Sequence, residues 1–204
     1  MPGNLFIQFA REPVPGAVKT RLVPAVTPEQ ACEIHTDLVR HTARVLVTAG
    51  LAEVRLDVSG DPGHPVFREC LALGVDGVRA QSGADLGERM LNALHHGLAA
   101  HERVVLVGSD CPQLDREYLG AALAALETCD VVVGPARDGG YVLIGVRCAD
   151  SRWFEGVTWG TDRVYRQTAT RLDASGATWQ ALAPLADVDR PEDLASWWAL
   201  PRQR

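Results

Sequence analysis

The sequence predicts an α/β protein built on a mostly parallel sheet. Three observations carry that reading. Short apolar runs alternate with stretches of helical periodicity along the 204 residues, the pattern of repeated strand–helix–strand units. Residues 104–107 (V-V-L-V) are unbroken apolar sequence, as in a strand covered on both faces. Residues 131–146 double back through Arg137-Asp138-Gly139-Gly140, which supplies one antiparallel element. Neither a linker nor a repeat interrupts the alternation, so residues 1–204 read as one domain, long enough for a substantial core.

In chain order, residues 5–10 open the sheet. Residues 11–22 follow as R-E-P-V-P-G-A-V-K-T-R-L. Their prolines remove donors and fix φ, and the glycine permits a tight turn, so this is a shaped loop, neither helix nor strand. Thr27-Pro28-Glu29-Gln30 opens a helix: threonine caps, proline suits the first turn, and glutamine completes a capping box. Ala31, Ile34, Leu38, Thr42, Val45, Leu46 and Ala49 recur at helical spacing until Gly50. Val54, Leu56 and Val58 alternate with Arg55 and Asp57 as a second strand. A Gly-Asp-Pro-Gly turn at 60–63 leads to a short helix at 65–73 and a strand at 75–80. A helix over 84–100 places Leu86, Met90, Leu94 and Leu98 on one side. Strand 104–107 ends in G-S-D-C-P, and a helix over 115–127 follows. Strands at 131–133 and 141–146, an aromatic loop at 153–161, a helix at 161–174, a late strand at 178–182 and a terminal helix at 191–200 complete the chain.

Composition is that of a folded globular protein, 47% hydrophobic and 23% charged. A net charge of −6 argues against nucleic acid as a partner, because such binders carry a basic field. The N-terminus lacks the pattern of a secretory signal, and no apolar run approaches a membrane span, so no membrane partner and a cytoplasmic location are expected. Cys32, Cys70, Cys111, Cys129 and Cys148 are scattered, without a C-x-x-C pair. They read as reduced thiols rather than a disulfide framework or a zinc site.

Against the acidic background the loop 11–22 concentrates Arg11, Lys19 and Arg21, and Lys19 is the only lysine in the chain. Three cations after a first strand suit a polyphosphate: arginine grips phosphate oxygens in pairs and lysine delivers a point charge. Ligands of parallel sheets sit beyond the carboxyl ends of strands. The loop and Asp110, which follows V-V-L-V-G-S, both lie at such ends. A carboxylate there suits magnesium, which takes one or two carboxylates, waters and phosphate oxygens. Asp110 also suits the start of a turn, or a cap for the helix near Asp115. A second acid is wanted, and Asp189, slightly ahead of Asp187, is the candidate, with capping of the terminal helix as a competing role for Asp189. The glycines of Asp138-Gly139-Gly140-Tyr141 let backbone approach an acceptor, though the same residues suit a plain hairpin turn. Trp159-Gly160-Thr161 can close over that acceptor or simply pack. Gln81 and Asn92 are amides that can read a nucleobase edge or face solvent, and Ala10 and Gly16 complete the nucleotide-binding set. The histidines and serines show no nucleophile–base pattern, which disfavours hydrolysis through a triad.

F-A-R-E-P-V-P-G-A-V-K-T-R-L, D-L-G-E-R-M, G-S-D-C-P-Q-L, D-G-G-Y-V-L-I-G and D-V-D-R-P-E-D-L occur in that order. Together they resemble the bacterial radical-SAM/selenodomain-associated transferases. K-T-R-L is also similar to the phosphate loop of 2-phospholactate guanylyltransferases. The resemblance implies a GT-A-like (nucleotide-diphospho-sugar transferase) three-layer α/β/α sandwich with a mostly parallel mixed sheet. It implies a nucleotide-binding N-terminal part and an acceptor-binding C-terminal part. On it, Arg11, Lys19 and Arg21 match the phosphate loop and Asp110 matches the carboxylate that binds Mg2+ or Mn2+. The G-x-G-x-R loop of sugar-phosphate nucleotidyltransferases is replaced here, and D-x-D is reduced to G-S-D-C. The expectation is therefore a metal-dependent nucleotidyl transfer from a nucleoside triphosphate to a small phosphorylated or hydroxyl acceptor. Glycosyl transfer from a nucleotide sugar, and a non-catalytic nucleotide-binding module, are the alternatives.

Overall fold

The structure, a computed structural model, describes residues 3–199. Seven strands form one sheet: β1 (Asn4–Arg11), β2 (Glu53–Ser59), β3 (Gly77–Ala80), β4 (Arg103–Val107), β5 (Val131–Pro135), β6 (Tyr141–Val146) and β7 (Trp179–Ala181). Their order is β3-β2-β1-β4-β6-β5-β7. All neighbouring strands are parallel except β6, which runs antiparallel to both β4 and β5. The antiparallel element expected from the 137–140 turn is present, but it sits inside the sheet, so that β5 reaches the sheet only through β6.

Helices cover both faces, giving three layers. On one side α1 (Pro28–Ala49), α2 (Pro65–Ala72) and α4 (Arg116–Ala125) pack on Phe6, Leu56, Val105 and Val107. On the other, α3 (Leu86–Leu98), α5 (Val164–Ser175) and the aromatic loop pack on Leu5, Ile7, Val104, Leu106 and Ile144. Successive residues of β4 thus enter opposite cores, which is why that strand reads as continuous apolar sequence.

Local chemistry sets the element ends. The Thr27 hydroxyl accepts from the Gln30 amide at 3.2 Å while the Gln30 side chain accepts from the Thr27 amide at 2.9 Å, so the capping box forms as read. The helix expected from residue 84 begins at Leu86 because the Asp85 carboxylate caps it, accepting from Glu88 N at 2.9 Å. Asp115 caps α4 in the same way, through Tyr118 N at 2.8 Å. The loop 11–22 contains more regular structure than its prolines suggested. Arg11 is the last residue of β1, in register with Ser59, and Thr20–Leu22 forms one 3-10 turn. At the other end Pro191–Asp193 is a 3-10 turn followed by α6 (Leu194–Ala199); Leu200, the last residue of the expected helix, lies outside the described residues. Among the described residues no helix is long and apolar enough to cross a membrane.

A third, smaller core joins Leu22, Ile34, Leu38, Val188, Leu194 and Trp197. It fastens the cationic loop and the segment around Val188 to the same flank of α1.

Candidate active site

A cleft of about 530 Å³ opens at the carboxyl ends of β1 and β4, within the size range of small-molecule sites. Arg11, Lys19, Arg21, Gln81, Asp110, Asp138, Gly140, Tyr141, Trp159, Thr161 and Asp189 all line it, with Ala10 at its floor. Gly16, Asn92 and Gly139 do not. Gly16 shapes the loop with φ at +78°, the Asn92 amide donates to the Ser82 carbonyl at 2.9 Å, and a Cβ on Gly139 would collide with the Asp162 carbonyl.

Lys19 and Asp110 meet within this cleft. The Lys19 ammonium lies 2.7 Å from Asp110 Oδ1 and donates to the Val188 carbonyl at 2.6 Å. Only 3% of the lysine side chain is exposed, against 48% for Asp110. Asp110 Oδ1 itself is sealed from solvent, so the open part of that carboxylate is turned away from the lysine. Burial opposes the charge of Asp110, but Lys19 beside it, with Arg11 adding, outweighs burial and holds the carboxyl below its ordinary range. The Val188 amide donates back to the Asp110 carbonyl at 2.8 Å, so the loop, the β4 exit and the segment 187–189 are tied together.

Asp187, near the cleft but not among its lining residues, is a raised acid. Its carboxyl is pushed up to about 6, first by burial and then by Asp138 beside it, with Asp110 adding to the effect. Asp189 is differently engaged: its Oδ2 accepts from Arg21 at 2.6 Å. Neither Asp110 nor Asp189 caps a helix. The Asp193 carboxylate takes that part, accepting from the Asp189 and Arg190 amides at 3.0 and 2.7 Å. Among the described residues no three Asp, Glu, His or Cys side chains gather closely enough to enclose an ion unaided. A magnesium ion held by one or two carboxylates and completed by water and phosphate fits the half-open Asp110.

His35 belongs to the site and escaped the sequence reading. It is buried, lines the cleft and donates through Nε2 to the Arg11 carbonyl at 2.9 Å. Burial lowers its pKa below the ordinary imidazole value. The signal was present, since His35 falls on the Ala31–Ile34–Leu38 stripe of α1, an unusual place for a polar ring.

On the opposite wall Trp159 stacks on Phe154, with centroids 6.4 Å apart, and meets Tyr141 edge-on. Burial raises the pKa of the Tyr141 phenol. Gly87 of α3 makes room for the indole, because a Cβ there would stand 2.8 Å from Trp159 Cζ2. Trp159 thus packs and lines the cleft at once. Gln81 donates through Nε2 to the Asp57 carbonyl at 2.9 Å, which leaves its Oε1 for a ligand.

Comparison with known proteins agrees with this architecture. The chain is 33% identical over 184 residues to the 2-phospho-L-lactate guanylyltransferase of Methanopyrus kandleri, covering 88% of this chain and 84% of that one. A crystal structure from Desulfovibrio desulfuricans G20, assigned as a nucleotide-diphospho-sugar transferase, superposes with a TM-score of 0.87 at 32% identity, over 98% of this chain and 87% of the other. The manganese complex of Rv0371c from Mycobacterium tuberculosis H37Rv shares the fold, with a TM-score of 0.57 at 17% identity, over 95% and 97% of the two chains. Residues 41–161 match the family described as uncharacterized protein conserved in bacteria. The chain belongs to that family, DUF2064.

Proposed function

We propose that this chain is a divalent-cation-dependent nucleotidyltransferase. A hydroxyl or phosphate oxygen of a small acceptor attacks the α-phosphorus of a nucleoside triphosphate, the bond to the β-phosphate oxygen breaks, and pyrophosphate leaves. The observation that carries this reading is the convergence of Arg11, Lys19, Arg21 and Asp110 on one cleft. Similarity to a guanylyltransferase over most of both chains supports the triphosphate. The manganese complex of a fold neighbour and the half-open Asp110 support the ion, Mg2+ or Mn2+.

Held by Asp110, such an ion would neutralise phosphate charge and polarise the phosphoryl group. Asp189, which lines the cleft, serves as the second carboxylate, with Arg21 already on its Oδ2; Asp187 is not among the lining residues. Arg11 and Arg21 would take the outer phosphate oxygens in paired hydrogen bonds, and Lys19 keeps a third N–H beyond the two it has committed. Gln81 and the Ala10 backbone serve the nucleoside side. Asp138, Gly140, Tyr141, Trp159 and Thr161 serve the acceptor side. Catalysis of this kind is positioning and electrostatic stabilisation, so no dedicated nucleophile is required. Five free thiols, three of them buried, accord with a reducing cytoplasm.

Glycosyl transfer is the second reading, favoured by the assignment of the Desulfovibrio protein. Product analysis separates the two. The proposal expects pyrophosphate from a triphosphate in the presence of Mg2+ and acceptor; release of a nucleoside diphosphate from a sugar nucleotide establishes the alternative instead.

A further inference from the structure

We infer that Lys19 is the internal cation of the cleft's acidic corner: it holds Asp110 while the site is empty and yields that carboxylate to an arriving divalent ion. The inference rests on reading the cleft as a metal–nucleotide site. Lys19 is almost wholly covered, and its ammonium is shared between Asp110 and the Val188 carbonyl. Asp138 and Asp110 both lie close enough to Asp187 to act on its charge. Without an internal cation these carboxylates would repel across a partly desolvated corner. Arg21 is bonded to Asp189 and also faces Asp138 and Asp187, whereas Lys19 is the cation in contact with Asp110. A lysine ammonium is a compact point charge on a flexible stem, able to turn away from the sealed Oδ1 once an ion takes the open side of the same carboxylate.

The backbone supports this assignment. Lys19 has φ 49°, the one non-glycine residue with positive φ among the described residues. A strained conformation at a site persists where surrounding contacts fix it; here the ammonium is tied to Asp110 and Val188, and the Lys19 carbonyl accepts from Leu22 N at 2.9 Å. A divalent ion bound to Asp110 would repel the ammonium, whose donors would then turn to an anionic phosphate. Lys19 is therefore a positioning residue for Asp110 in the empty protein and a phosphate donor in the filled one.

Because Lys19 is the chain's only lysine, amine acetylation of the intact protein reports on it directly. Peptide mass spectrometry separates it from the N-terminal amine. The acetylation rate of Lys19 is followed through a Mn2+ titration, with ion occupancy read independently by electron paramagnetic resonance. The expected result is a slow rate without ion that rises about tenfold at full occupancy, equivalent to ~1.4 kcal/mol of lost pairing. A non-hydrolysable nucleoside triphosphate then lowers the rate again; a rate that stays high overturns the hand-over to phosphate. An unchanged rate at full Mn2+ occupancy overturns the inference and leaves the metal reading standing. Failure of Mn2+ to bind, with or without nucleotide, overturns the metal reading itself. In Asp110→Asn, Lys19 should react quickly without ion and ignore Mn2+; a slow rate in the folded variant contradicts the pairing.

Discussion

Lys19 holds φ 49° and ψ 36°, a left-handed conformation that costs a non-glycine residue roughly 1–2 kcal/mol. Side-chain contacts to Asp110 and Val188, and the bond from Leu22 N to the Lys19 carbonyl, hold the residue there. Arg21 differs in kind. Its side chain is 54% exposed and its partner Asp189 is half-buried; pairs with so exposed a member contribute about 1 kcal/mol or less to stability. Arg21→Ala should therefore leave folding nearly intact and lower kcat/KM on the order of a hundredfold, as for a lost preorganised donor. Steady-state kinetics beside a thermal melt check both halves. His35 gives a pH signature. Burial keeps its ring neutral in the folded protein, below the ordinary value of 6.5. The unfolded chain consequently takes up more protons as pH falls below 6.5, and folding stability is full above that value and declines beneath it. His35→Gln, which can still donate to the Arg11 carbonyl, should flatten that decline, as read from melting temperature between pH 5 and pH 8, a range that brackets the ordinary value near 6.5.

The cationic loop is an element built from two ends. Arg11 is held by the β1–β2 ladder and Leu22 by the small core with Val188 and Trp197. Leu22→Ala should destabilise the protein by ~2–5 kcal/mol, the range for truncating a buried leucine. It should also weaken nucleotide binding although Leu22 does not line the cleft. Chemical denaturation and a binding titration measure the two effects. What was legible in the sequence follows the range of the forces involved. The Thr27–Gln30 capping box and the alternation of β2 depend on near neighbours and could be read directly. The caps at Asp85 and Asp115 are equally local, and each moved a helix start from its expected place. Non-local facts were not legible: nothing in residues 131–146 says that β6 inserts between β4 and β5. Pairing of Lys19 with Asp110 and of Arg21 with Asp189 depends on chain segments brought together only by the fold. His35 could have been suspected from its place on the apolar stripe of α1, but its partner, the Arg11 carbonyl, is visible only in three dimensions.

At the scale of the whole molecule, the inserted strand is what makes one site. Because β6 runs against β4, with Leu143 opposite Val107, its starting turn at Asp138–Gly140 falls at the carboxyl end of β4 beside Asp110. A wholly parallel sheet would carry that turn to the far edge. The nucleotide side and the acceptor side thus face each other across a single cleft, and ligands bound there should stabilise the fold as a unit. A nucleoside triphosphate with Mg2+ at a hundred times its dissociation constant should add ~2.7 kcal/mol, a rise of about 5–10 °C in Tm. The measurement that bears most directly on the shared metal–polyphosphate site is calorimetric titration of nucleoside triphosphates into the wild-type protein and Asp110→Asn, with and without Mg2+. The account predicts binding to the wild type that strengthens at least about tenfold with Mg2+, and in Asp110→Asn a loss of that gain. Equal binding by both proteins, indifferent to Mg2+, would contradict it.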